Sequence, residues 1–446
     1  MESSGSALCA EILTLYGGSS GEQDRRAASA ALEGFLISPA SIELLLHQLE
    51  YVYKSSVPPE QADLLVFGFL ALLDQWQHRH LTSSPMATQV EIRRTILRLM
   101  CENAPRSAKL QLIKYSKILA AIAVSHFPEH WPFFLTDLMH LWASSDSELV
   151  IYASILILEN VLEDCVNADF ATSLPSSRRR DILDALLLQK EELISFAFNW
   201  ISAYYARQDN VYYAIISKEV IKLFTLLVPL VKPHELCKEP HDVTQLIFAF
   251  LTSSTYQMET LDLLSAVSLH SLTAELFTAL LQGLPRVSYY VSSEESERHQ
   301  FLLSLSESLH SILSINIFQS FLLNDGGSPT VHPQFTDPLV TFLSFLGSYI
   351  LSYPSLTMIA EASAHWIRLL KEPLLFTIPQ IDLFFHSFTS TFIQRLARLQ
   401  WEDGVAVDAV SQLDFEDKYV LQYRFKVMIF YFYSLYLWTT SMYCLK

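Results

Sequence analysis

The sequence predicts an all-α fold of antiparallel helix pairs stacked into a superhelical arch, an α-solenoid. Three observations carry the prediction. Glycine is scarce, at 11 of 446 residues, about a third of the ~7% of average usage, and sheet proteins need glycine in their turns. Apolar residues make up 51% of the chain and recur at helical spacing. Short breaks punctuate these segments at intervals too small for long returning loops.

The breaks can be named in order between Asp24 and Arg424: SSVPPEQ, LTSSPM, ENAPRS, FPEHWP, LPSSRRRD, VKPHELCKEP, LNDGGSPTVHP and SYPS. Each holds Pro, Gly or Ser clusters, the punctuation of turns and helix starts. No run of strands with two-residue hairpin signals is legible. After Pro58 and Pro59, residues Leu65, Phe69, Leu72 and Trp76 share one helical stripe. After Pro105, Leu112, Tyr115, Leu119 and Ile122 share another, with Lys114 and Lys117 on the opposite side. The helices pair at roughly 40 residues, the period of HEAT-type repeats, giving about nine or ten hairpins.

The stretch HFPEHWPFFLTDLMHLW is a joint between two of these helices. Pro128 and Pro132 lack an N–H and carry a preset φ, which suits a first helical turn. Pro132 is expected to start the next helix. Trp131 and Phe134 then fill the wedge between hairpins. Pro128, Trp131 and Pro132 are therefore read as a structural repeat joint that sets the angle between repeats.

Charge narrows the partners. Thirty Lys and Arg oppose 47 Asp and Glu, a formal charge of −17. Such a field does not draw nucleic acid, so RNA would need a local basic surface and a basic protein is the easier partner. Cys9, Cys101, Cys165, Cys237 and Cys444 are too far apart for zinc spacing and read as reduced, mostly buried thiols. The start, MESSGSALCAEILTL, has no basic leader region and no Asn-x-Ser/Thr sequon occurs, which points to cytosol and nucleus.

Chemistry is not expected. No GxxxxGK[ST], HExxH, GxSxG or EF-hand pattern occurs. GGSSGE near Gly17 and DGGSP near Gly326 read as flexible loops. No catalytic residue, cofactor or metal is predicted, and the protein is not read as an enzyme. Arg178, Arg179 and Arg180 form the densest basic cluster. They read either as a phosphate or acidic-partner contact or as a solvated loop touching Asp181 and Asp184. The 19 residues Val427–Leu445 carry no charge. They read as a misjoined or premature end, a packed terminal helix, or a membrane anchor; four tyrosines make the last a poor span.

The FPEHWPFFLTDL segment resembles the importin-β-like nuclear transport receptors. Four further stretches, in the family's order, are similar to the exportin-five or HASTY branch. They are LVIYASILILENVLEDC with LPSSRRRDIL, SERHQFLLSLSESLHSIL, SYPSLTMIAEASAHWIRLLKEPLL and LDFEDKYVLQYRF. The acidic run near Asp414 is shorter than the family's, and residues 218–229 fit loosely. The resemblance implies four parts. Residues 1–23 are a flexible N-terminus, and 24–145 are importin-β N-terminal-like HEAT repeats facing Ran. Residues 146–425 are exportin-type HEAT repeats, and 426–446 are an atypical apolar aromatic tail. On this reading the chain stops at the end of the N-terminal arch.

The resemblance also implies function. Family members bind Ran in its GTP form together with cargo, and release both after GTP hydrolysis. Cargo of this branch includes double-stranded or hairpin RNA such as microRNA precursors, and protein. Nucleoporins are possible partners, the state is monomeric, and the receptor shuttles between nucleus and cytoplasm without entering membranes. With second helices lining the concave side, Glu50, Arg94 and Asp137 are the candidate Ran contacts; each has a plain solvated reading as well. Three rivals remain: a non-transport scaffold or truncated receptor remnant, a membrane-tethered adaptor, and an import receptor.

Overall fold

The computed structural model describes residues 2–18, 20–166, 174–205, 211–232, 241–270, 273–289 and 333–352. Isolated positions at 235, 237–238, 294, 297, 300–301, 304–305, 308–309, 312 and 380 are also described. The tail, the SYPS stretch after Ser352 and the LDFEDKYVLQYRF segment lie outside the described residues. The chain divides into two compact units, Met1–Leu230 and Val231–Lys446. The expected division at 145/146 falls inside the first unit, where helices on either side pack together.

The first unit is a run of helices: α1 Glu2–Tyr16, α2 Glu22–Phe35, α3 Ser41–Lys54, α4 Pro59–His80, α5 Met86–Asn103, α6 Lys109–His126. It continues with α7 Phe134–Ser144, α8 Glu148–Val166, α9 Ser176–Leu187, α10 Lys190–Tyr205 and α11 Val211–Leu227. Packing runs along the chain. Helices α4, α6, α8 and α11 lie side by side in one row. The intervening helices lean on that row: α3 on α4, α5 on α6, α7 on α8, α10 on α11. This is the neighbour-on-neighbour packing of an α-solenoid.

The predicted stripes build the row. Leu65, Phe69, Leu72 and Trp76 on α4 are all buried, as are Leu112, Tyr115, Leu119 and Ile122 on α6. Each large side chain so covered contributes roughly 1.5–3 kcal/mol relative to exposure. Lys117 stays exposed, and Lys114 reaches across to Asp74 at 3.3 Å, tying α6 to α4. Helix α8 is apolar on most sides, because α6, α7, α9 and α11 all pack against it.

One expectation is corrected at the N-terminus. Residues 2–16 are not a flexible lead-in but helix α1, which packs on α2 and α4 with Leu8 and Ile12 buried. Glycine permits the approach: a Cβ at Gly68 of α4 would collide with the Ile12 side chain. Deep in the row a side chain at that position is excluded, whereas Gly34 faces open space.

The second unit opens with a two-residue antiparallel ladder, β1 Cys237–Lys238 against β2 His241–Asp242. β1 lies in the VKPHELCKEP break and β2 just after it, both too short to show strand alternation in the sequence. Helices α12 Val243–Leu251, α13 Gln257–His270, α14 Ala274–Gly283 and α15 Pro333–Ser352 follow. Asp242 caps α12 by accepting from the Thr244 N–H at 2.9 Å, and Thr273 caps α14 by accepting from Leu276 at 3.2 Å. Phe277 of α14 packs on Phe335 of α15 with ring centroids 5.8 Å apart. Phe301, Leu305, Leu309 and Ile312 are buried at helical spacing in the SERHQFLLSLSESLHSIL stretch. The described residues are thus all-α apart from that ladder.

Candidate functional site

The FPEHWP joint is held by four helices, α5, α6, α7 and α9. His126 ends α6, fully buried, with Nε2 2.7 Å from Gln89 Oε1 of α5. Burial pushes its imidazole down to about 4, helped by the charges of Arg93, His130 and Arg178. The Phe127–Pro128 bond is cis. Trp131 is buried and donates from Nε1 to Asp137 Oδ2 at 2.7 Å. Its ring meets Phe134 edge-on at 5.0 Å, and Phe127 lies 5.5 Å from the same phenyl ring. Arg93 of α5 places its guanidinium 4.5 Å from the Trp131 ring and donates to the His130 carbonyl at 3.1 Å.

Pro132 does not open the helix. The Phe134 N–H bonds back to the Trp131 carbonyl at 3.1 Å, closing a turn. The first α-type bond runs from Asp137 N–H to the Phe133 carbonyl at 2.8 Å, so α7 begins at Phe134. Pro132 and Phe133 are left exposed beside the turn.

The arginine triplet is also corrected. It occupies the first turn of α9, not a loop. Arg178 Nε donates to the Val124 carbonyl at 3.2 Å, and Nη2 donates to Ser125 at 3.0 Å and Phe127 at 2.5 Å. Glu129 lies 3.7 Å from Nη1. The last carbonyls of a helix lack partners within it and carry partial negative charge, so a guanidinium fork satisfies both needs. Arg178 is thereby engaged in the joint. Arg179 is partly buried and Arg180 exposed.

The three candidate Ran contacts fall on α3, α5 and α7, the first helices of the pairs α3–α4, α5–α6 and α7–α8, and not on second helices as expected. Glu50 of α3 pairs with Lys54 at 2.7 Å and with Arg98 of α5 at 3.4 Å. The hydrogen bond from Lys54, then that from Arg98, holds its carboxyl below the ordinary range. Arg94 is exposed on α5. Asp137 is the acceptor of the Trp131 indole. Glu50 and Asp137 thus have structural duties, while Arg94 is open to a partner. Sequence reasoning missed Arg93 and Arg98, which join α5 to the FPEHWP joint and to α3. It also missed Tyr51 and Phe133, two exposed aromatics at these helices. Glu91, Arg94, Arg98 and Glu102 put an acid on either side of two arginines along α5, and Arg98 pairs with Glu102 at 3.0 Å. Such a mixed surface suits a folded protein better than a phosphate backbone.

Elsewhere, an open hollow of about 570 Å³ lies between the end of α5 and the α7–α8 turn. Cys101, Leu141, Ser144, Ser147 and Glu148 are among its walls. Burial pushes the Cys101 thiol up to about 11 and the Cys165 thiol up to about 12, which removes nucleophilic thiolate. Among the described residues, no group of three His, Cys, Asp or Glu could hold a metal ion. No described helix is long and apolar enough to cross a membrane.

The comparisons with known proteins bear on this arrangement. Residues 108–264, from α6 to α13, match the family "Exportin 1-like protein". No curated protein matches the chain in sequence. Among solved structures, the exportin Cse1 in its cargo-free, cytoplasmic state aligns over 87% of this chain and 46% of its own, at 11% identity and TM-score 0.45. The chain therefore spans under half the length of that exportin. An engineered protein aligns over 87% of this chain and 98% of its own, at 14% identity and TM-score 0.29. The repeats that carry the arginine-clasped joint and the α8 seam are thus similar in sequence to the Exportin 1-like family.

Proposed function

We propose that this chain is an importin-β-like nuclear transport receptor of exportin type that binds Ran-GTP and cargo cooperatively. The match of residues 108–264 to the Exportin 1-like family carries the reading. The exposed side of α3, α5 and α7, where Arg94 is open to solvent, is the proposed Ran-facing surface. Ran-GTP and cargo would each favour one curvature of the stacked repeats, so each raises the other's affinity. Ties along each row supply a physical route for this coupling. Lys114–Asp74 and Arg98–Glu50 each join neighbouring repeats, so a change of angle at one joint is felt at the next.

A basic protein is the proposed cargo class. The charge of −17 opposes nucleic acid, and Arg178 of the densest arginine cluster is bonded to the carbonyls at the end of α6. Structured RNA, the cargo implied by the exportin-five resemblance, would need a basic track that no described cluster supplies. The test is capture from nuclear extract by the immobilised full chain, with Ran in its GTP or GDP form. Cargo that accumulates only with Ran-GTP supports the export reading. Cargo displaced by Ran-GTP favours an import receptor, and indifference to the nucleotide favours a scaffold.

A further inference from the structure

The seam between α8 and α11 buries two acids that the transport reading does not use. Glu159 of α8 and Glu219 of α11 are only 6% and 7% exposed. Glu219 pairs with Lys222 at 2.8 Å, a lysine about half exposed to water. Glu159 has no such support: its Oε1 is buried without a hydrogen-bond partner among the described residues. The charges that face it are Glu219 and Lys222 from α11 and Glu163 one turn along α8. Three carboxylates therefore meet one ammonium group. Lys117 of α6 and Asp164 flank Glu163 with opposite signs. Lys109 of α6 lies 5.5 Å from the ring of Tyr152, which shares the seam. Arg178 and Arg179 of α9 act at the Cys165 end of α8 instead.

We propose that Glu159 is a proton-linked lock on the α8–α11 seam: neutral, it lets the helices close, and ionised, it repels Glu219 and opens them. Two buried carboxylates so placed cannot both ionise without a large Coulomb cost. Desolvation first, and the Glu219 charge second, hold the Glu159 carboxyl well above its ordinary range. The sign follows. The folded state keeps a proton that the unfolded chain releases, so stability falls as pH rises above the ordinary glutamate value. In a stack of repeats this loosening acts at one seam, between the helices flanking α9 and α10, and so changes curvature locally.

The test is infrared spectroscopy of the full chain across pH, with hydrogen exchange of α8 and α11. A protonated carboxyl band at neutral pH, absent in Glu159→Gln, is expected. Exchange in both helices, corrected for the intrinsic rate, should quicken several-fold at alkaline pH in the wild type and stay level in the variant. A wild-type band that is missing at neutral pH overturns the proposal, even if the variant fails to fold. A band retained in a folded Glu159→Gln protein overturns it equally.

Discussion

Arg178 and Phe127 are joined at 2.5 Å, guanidinium to main-chain oxygen, although 51 residues separate them. The first turn of α9 thereby closes the last turn of α6. Removing the side chain leaves three carbonyls with one partner fewer each. Arg178→Ala is expected to lower stability by about 2–4 kcal/mol, from lost charged hydrogen bonds and stranded acceptors. Arg178→Lys should recover only part, since an ammonium cannot fork across the carbonyls. Arg180→Ala should change stability by less than about 0.5 kcal/mol. Urea unfolding midpoints of the three variants check the ranking.

Trp131 supplies both bulk and a donor to the joint. Trp131→Phe keeps most of the packing against Phe134 and should cost about 1–2 kcal/mol for the lost bond to Asp137. Trp131→Ala should cost about 3–5 kcal/mol by opening a cavity. Asp137→Asn keeps an acceptor and should be milder than either. Thermal denaturation of these variants distinguishes packing from hydrogen bonding.

His126 makes the joint sensitive to acid. Its folded-state value is pushed down to about 4, below the unfolded value of about 6.5. The unfolded chain therefore binds the proton first, and stability is lost as pH falls from about 6.5 towards 4. The loss attributable to this side chain is as much as ~3 kcal/mol at the acid end. Urea midpoints between pH 7.5 and 4.5 should fall more steeply in wild type than in His126→Gln. Parallel slopes would assign the acid sensitivity to other groups.

Helix α1 is docked through a glycine. Gly68→Ala should destabilise the first unit by roughly 1–3 kcal/mol, because the added methyl meets Ile12. Ile12→Ala in the same chain should recover part of that loss, whereas the two changes would simply add if α1 were loosely held. A double-mutant cycle measures the coupling.

The parts of this fold legible in the sequence are those with a period. Leu65, Phe69, Leu72 and Trp76 announce a buried stripe because each lies on one face, and the structure buries all four. Breaks with Pro and Ser mark the turns between α3 and α4 and between α4 and α5. The features that were not legible depend on contacts distant in sequence. Arg178 reads as part of a solvated cluster until α6 is seen to end beside it. Glu159 lies within an apolar helix and gives no hint of Glu219, 60 positions on. Helix α1 has a weak apolar pattern, and only the gap at Gly68 explains its seat. Arg94, selected by helix position, remains exposed, while Glu50 and Asp137 turn out to have partners within the chain.

The central claim is tested most directly by titrating the full chain with Ran loaded with GTP or with GDP, in a calorimeter. The account predicts that the GTP form binds at least tenfold more tightly, and that Arg94→Glu weakens it about tenfold with an unchanged unfolding midpoint. Equal affinity for the two nucleotide forms, or no binding by either, would contradict it.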